Sequence, residues 1–224
     1  MSDEDFQPRI AILGAGPIGL EAAIYARYLG YSAEVFEREE LPAKILHHAE
    51  ERVLDRPFSE RVSTLGVAAL QAQDSKWKFP ASSASLSAAE YYRSYLLPLA
   101  ESDLVSDSLR LGMEVVSVSR DTEEAWQIAC RSKLGQETEF GADVVIDCRG
   151  KGSENFVEEE GQSTESLCFL NPVADYYVLG SKSCVTAEEF LFASGLAQIR
   201  ELFAILGERE DLDVYATMPP IEWK

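Results

Sequence analysis

The chain has 224 residues and carries 20 Lys plus Arg against 39 Asp plus Glu, a formal net charge of −19. A charge that negative excludes non-specific binding to nucleic acid or to an anionic membrane, which both need cationic patches, while 46% hydrophobic and 26% charged residues are the balance of a globular chain able to bury its own core. No apolar run reaches the roughly 18 residues that span a bilayer, the acidic start Met1-Ser2-Asp3-Glu4-Asp5 lacks the apolar centre of a secretory signal, and Cys130, Cys148, Cys168 and Cys184 form no C-x-x-C pair, so the expectation is a cytoplasmic protein with reduced thiols.

Ile10 to Leu13 is a short apolar run of the kind that makes a strand buried on both faces. Gly14-Ala15-Gly16-Pro17-Ile18-Gly19 follows, then an Ala- and Leu-rich helix from Leu20 to Leu29. Pro17 suits a first helical turn, where its missing N–H costs nothing, and Gly30 suits the stop. Ala33 to Phe36 is a second strand, ending at Glu37, so residues 9–37 form a β-α-β unit.

Residues 38–108 read as a helical and loop region. Arg61 to Gln73 is one expected helix, and Lys76 to Ser87 a loop. Ser87 and Glu90 have the spacing of a capping box opening a helix toward Leu97, disturbed at Pro98. From Leu109 the hydrophobic period becomes two. Glu114–Ser119, Ala125–Arg131 and Glu137–Phe140 then make an antiparallel meander, and Asp143 to Asp147 returns to the buried type. Residues 151–174 read as loop. Tyr176 to Leu179 is the last strand, and Thr186 with Glu189 caps a helix running to about Leu206, its apolar side at Phe190, Leu191, Leu196, Ile199, Phe203 and Leu206. The acidic tail beyond Gly207 is expected to pack loosely.

The reading is one α/β domain over residues 1–224: a Rossmann-like parallel sheet with an inserted antiparallel β-meander. Its parallel strands are expected at Ile10–Leu13, Ala33–Phe36, near Val115–Val118, at Asp143–Ile146 and at Tyr176–Leu179.

G-x-G-x-x-G between a strand and a helix, with an acid ending the next strand, is the arrangement that cradles a dinucleotide. Gly14 permits the tight turn, Gly16 leaves room for a pyrophosphate, and Gly19 lets helix and strand approach. The helix N-terminus behind Ala15 and Pro17 offers unpaired N–H groups, that of Ile18 among them, and a partial positive charge to phosphates. Glu37, next to Arg38, is placed to accept ribose hydroxyls.

This unit resembles the N-terminal FAD-binding segment of the two-dinucleotide-domain flavoproteins, which include the pyridine nucleotide–disulfide oxidoreductases and the flavin-containing monooxygenases. The matching residues are Gly14 to Gly19, Gly30, Ala33, Val35 and Glu37. A second match is Ala142 to Gly150, a strand-and-glycine motif that usually ends in Ala-Thr-Gly and here ends in Cys148-Arg149-Gly150. A third is Tyr176 to Ser183 and the helix behind it. The family usually has Gly-Asp after that strand, with the Asp near the cofactor's ribityl-phosphate region, whereas Gly180 is followed by Ser181. The resemblance implies FAD, ahead of NAD(P), held by Gly14, Ala15, Gly16, Pro17, Ile18, Gly19, Glu37, Arg38, Gly150 and Gly180. The family inserts a nicotinamide domain after the Gly150 motif, and here only residues 151–174 intervene. It therefore implies an oxidoreductase with an unknown small-molecule substrate and a separate reductase or electron donor. A nucleotide-binding fold without enzymatic activity and an NAD-binding dehydrogenase-like protein are the alternatives.

No other motif points to chemistry. His47 and His48 are adjacent, so their side chains diverge and no metal site is expected. Cys148 reads as a small buried hydrophobe, and Tyr91, Tyr92 and Tyr95 as a core stripe. Trp77 and Phe79 could line a cleft or plug a loop. Glu158-Glu159-Glu160 reads as a solvated run. No catalytic acid, base or nucleophile can be named.

Overall fold

The computed structural model describes residues 7–40, 42, 51–120, 125–151, 153–157, 169–183 and 190–223. The β-α-β unit forms as its hydrophobic pattern requires: β1 (Arg9–Leu13), α1 (Pro17–Tyr28) and β2 (Ser32–Glu37), with β1 and β2 parallel. Pro17 stands in the first turn of α1. Two further helical pieces follow. Helix α2 (Thr64–Gln73) is capped by Ser63, whose hydroxyl accepts from the Gly66 N–H. Helix α3 covers 88–100 and opens on the expected Ser87/Glu90 capping box.

Pro98 does not end α3. The chain widens into a π-helical turn at Tyr92–Leu96 and resumes as α-helix at Leu97–Ala100. A proline lacks the N–H for its i−4 carbonyl and its ring crowds that carbonyl, and a wider turn just ahead of it accommodates both.

The chain then makes β3 (Leu109–Leu111), which pairs parallel to β2. This corrects the expected third strand of the parallel sheet: residues near Val115–Val118 lie instead in β4 (Met113–Ser119), the first strand of the meander. A strand of only three residues, mostly exposed, carries too little periodicity to be read from sequence. The meander continues through β5 (Trp126–Ser132) and β6 (Glu137–Ala142), and β7 (Val144–Asp147) returns to the main sheet beside β1. Within the segment read as loop, β8 (Leu170–Val173) forms and pairs antiparallel with β9 (Tyr176–Val178).

The final long helix, α4, is Phe192–Leu206. The Thr186/Glu189 capping box lies outside the described residues, as do His47-His48 and Glu158-Glu159-Glu160. Phe190 and Leu191 precede the helix, so its buried side is Gly195, Gln198, Ile199, Leu202 and Phe203. The tail does not pack loosely. The short helix α5 (Val214–Thr217) buries Val214, the Val214 N–H donates to the Tyr25 hydroxyl (3.1 Å), and the Trp223 ring sits 5.4 Å from that of Phe79. Phe79 also stacks on Phe58, so Trp77 and Phe79 plug the loop.

The main sheet has the order β3-β2-β1-β7-β9-β8, and the meander is a separate sheet, β4-β5-β6. The two faces of the main sheet bury different layers. Ile10, Ile12, Val35, Val144, Ile146 and Tyr177 belong to the core shared with the helices. Ala11, Leu13, Phe36, Val145, Tyr176 and Val178 pack with Val118, Trp126 and Ile128 of the meander. Alternation along each strand therefore places the main sheet as the middle of three layers. Among the described residues no helix is long and apolar enough to cross a membrane.

Candidate functional site

The chain runs outward from β1 to β2 and β3, then crosses to the other side of β1 to lay down β7 and β9. In such open sheets the strand order reverses beside the first strand, and the diverging connections leave a crevice at the carboxyl ends. Here the crevice lies between β1 and β7. Leu13, Asp147 and Val178 are in register across β1, β7 and β9, so the loops after all three strands start on one line.

The Gly14–Gly19 turn stands at the head of that crevice. Gly14 has φ +97, and a Cβ there would lie 3.1 Å from the Arg149 Cα and 3.2 Å from the Cys148 carbonyl. A side chain is excluded by conformation and by the backbone of the next loop. Gly19 cannot carry a Cβ either, because the Gly14 carbonyl oxygen occupies the place. Gly16 differs: its backbone is extended (φ −75, ψ −179), and a Cβ there meets nothing within 4 Å. Its side opens outward. Among the described residues no side chain caps the N-terminus of α1, so its first-turn N–H groups and positive dipole end remain for an anionic ligand.

Glu37 ends β2 beside the turn. Its Oε2 accepts from the Ala15 N–H (2.9 Å) and its Oε1 from the Glu39 N–H (3.0 Å). The carboxylate thus fixes the turn, and each oxygen keeps a second lone-pair site for a ribose hydroxyl. Ala15 is fully buried, and Ile18 packs against Gly180 and Gly195. Arg38 extends into solvent beyond β2, 3.8 Å from Glu39. Gly150 and Gly180 come together, the space above Gly150 being bounded by Ser181 Oγ at 3.8 Å. The structure thus gathers Gly14 to Gly19, Glu37, Gly150 and Gly180 at the carboxyl edge, with Arg38 at its margin.

Two buried polar groups near this edge escape a motif search. The first is Asp147, the last residue of β7, fully buried. Its carboxylate accepts from Arg149 Nε (2.9 Å) and Nη2 (2.8 Å), from Lys182 Nζ (2.8 Å) and from the Tyr176 hydroxyl (3.1 Å). Burial alone would raise its pKa, but the hydrogen bonds and charges of Arg149 and Lys182 prevail and hold it below the ordinary carboxylate range. Burial, and then the Asp147 charge, push the Cys148 thiol and the Tyr176 phenol up, so neither serves as a thiolate or phenolate. An acid ending an apolar strand two residues before an arginine was the available signal.

The second is Glu21, on the buried side of α1. The Tyr95 hydroxyl donates to its Oε1 (2.6 Å), and its Oε2 has no described partner. Burial pushes its pKa from 4.5 up to about 7, against the opposing effect of the Tyr95 and Ser63 hydroxyls. Among the described residues no group of His, Cys, Asp and Glu could hold a metal ion.

A doubly covered, mainly parallel sheet, a glycine turn at its switch point and a glutamate ending the second strand define the dinucleotide-binding class of α/β folds. Residues 9–71 match the family model described as pyridine nucleotide-disulphide oxidoreductase. No curated protein matches the sequence. Among solved structures, OTEMO in complex with FAD and NADP is 17% identical with a TM-score of 0.51, over 69% of this chain and 28% of its own. An open form of cyclohexanone monooxygenase is 17% identical with a TM-score of 0.51, over 64% and 27%. An oxidized steroid monooxygenase bound to NADP is 20% identical with a TM-score of 0.50, over 64% and 26%. These likenesses are of fold, and the chain spans roughly a quarter of the length of those three proteins. The resemblance read from the Gly14–Gly19 turn is borne out by the family match and the shared fold.

Proposed function

We propose that the chain binds FAD across the carboxyl ends of β2, β1, β7 and β9 and serves as the flavin-holding part of an oxidoreductase. One observation carries this reading: the outward-opening Gly16 at the uncapped head of α1, flanked by Glu37 at the end of β2. The adenosine ribose would meet Glu37. The pyrophosphate would meet the turn from Gly14 to Gly19, its charge stabilised by the N–H groups of α1. The flavin would supply the redox chemistry, and the protein its orientation and electrostatics. FAD is favoured over NAD(P) because the later strand-and-glycine segments at Gly150 and Gly180 stand beside the turn. The substrate would be a small molecule. Reduction by a separate protein or small donor fits the short connection 151–174. The free thiols of Cys130 and Cys148 are compatible with work in the cytoplasm. The test is reconstitution: protein incubated with FAD and freed of excess by gel filtration should keep a flavin spectrum, and colourless protein would refute the reading.

A further inference from the structure

The Asp147 cluster joins the two loops that follow β7 and β9. Arg149 belongs to the Cys148-Arg149-Gly150 segment, and its backbone N–H also donates to Asp147 Oδ1 (3.1 Å). Lys182 closes the short 3-10 turn Gly180–Lys182 after β9. Both cations reach the same carboxylate, and both also donate to the Glu154 carbonyl, Arg149 at 2.8 Å and Lys182 at 3.0 Å. The Arg149 guanidinium lies 3.9 Å from the Phe156 ring centre. The side chains are 0% exposed for Asp147, 18% for Arg149 and 9% for Lys182. From the other side, Gln198 of α4 accepts from the Gly180 N–H (2.7 Å) and donates to Ser183 Oγ (2.7 Å). The two loops are therefore one rigid unit, fastened at Asp147.

Their position defines what that unit faces. A dinucleotide with its ribose at Glu37 on β2 and its pyrophosphate over β1 must continue over β7 and β9, two strand spacings or about 10 Å further on. Gly150 and Gly180 stand there, held by the Asp147 cluster. We propose that Asp147 is a positioning residue for the half of the dinucleotide beyond the pyrophosphate: it sets the Gly150 and Gly180 loops without touching the ligand.

This rests on the proposed FAD site, and two ligands separate the claims. ADP reaches only Glu37 and the Gly14–Gly19 turn, whereas FAD also reaches the β7 and β9 loops. Titration of the parent with FAD and with ADP comes first. Failure to bind either removes the FAD reading and the proposal with it. With both bound, Asp147→Asn should weaken FAD about tenfold or more, the size of a lost charge-assisted hydrogen bond, and change ADP less than about twofold. Lys182→Met, at a position less deeply buried than Asp147 and so the safer variant for folding, should shift the FAD-to-ADP ratio in the same direction, and Lys182→Arg should restore it. A cluster that only stabilises the fold would lower both affinities together or neither. Either outcome, in whichever variant folds, overturns the proposal.

Discussion

Gly16 and Gly19, within one turn, differ in what a side chain would meet, and each answers differently to substitution. Gly19 is fixed by contact, because a methyl group there collides with the Gly14 carbonyl. Gly19→Ala should lower apo stability by about 1–3 kcal/mol through overpacking, read as a drop in the denaturation midpoint. Gly16 is under no such pressure in the folded chain, and the proposed FAD site gives it a reason in the ligand. In the proposed site Glu37 would have a double role. Glu37→Ala should weaken FAD by about ten- to a hundredfold, the worth of hydrogen bonds to a charged group. Because it also strips the buried Ala15 N–H of its acceptor, it should lower stability by roughly 1–3 kcal/mol. Unchanged affinity in a FAD titration would take Glu37 out of the site. These residues were legible in the sequence because a motif packs its meaning into near neighbours. Asp147, Tyr176 and Lys182 were not, because their partnership spans strands that only the fold brings together.

At the scale of the element, helix α1 is packed on every side, by the sheet, α2 and α4, with Glu21 buried among them. The groups facing Glu21 are Tyr95 and Ser63, with the phenols of Tyr91 and Tyr215 close enough to feel its charge. Its folded pKa of about 7 stands above the ordinary 4.5. Folding therefore binds a proton more tightly than unfolding. The contribution is complete below pH about 4.5 and is lost as pH rises through about 7. It amounts to about 3 kcal/mol. Glu21→Gln should flatten the fall in stability across that window and leave the variant more stable than the parent near pH 8. Chemical denaturation at several pH values checks this, and equal slopes for parent and variant would refute it. The element itself was legible, since small residues and a Pro start announce α1. The π-helical turn that aims Tyr95 at Glu21 was not, because Pro98 signals trouble without saying how the chain absorbs it. Helix α4 was misread at its head for a similar reason: Phe190 and Leu191 extend the apolar pattern but precede the first turn.

For the whole molecule, the three layers follow from pattern: continuous apolar strands for the middle sheet and period-two strands for the meander. What pattern could not supply was the edge, where β3 and β8 are short and carry little apolar signal. The order of strands places a crevice at the β1–β7 switch, and a FAD in it would occupy the only G-x-G-x-x-G turn of the sequence. A nicotinamide donor needs a β-α-β cradle of its own, about 30 residues, more than the connection between the Gly150 motif and β9 holds. The chain loaded with FAD should therefore not be reduced rapidly by NADPH alone. Anaerobic mixing followed by flavin absorbance checks this, and bleaching within seconds would contradict it.

The most direct test is FAD affinity in the parent against Gly16→Val. The backbone at Gly16 is one that valine adopts freely, and its Cβ has open space, so the variant should melt with the parent as apoprotein. Its side chain would stand where the pyrophosphate meets the backbone. The account predicts saturable FAD binding by the parent and none by Gly16→Val. Equal binding by both would contradict it, leaving the glycine turn a joint between strand and helix and nothing more.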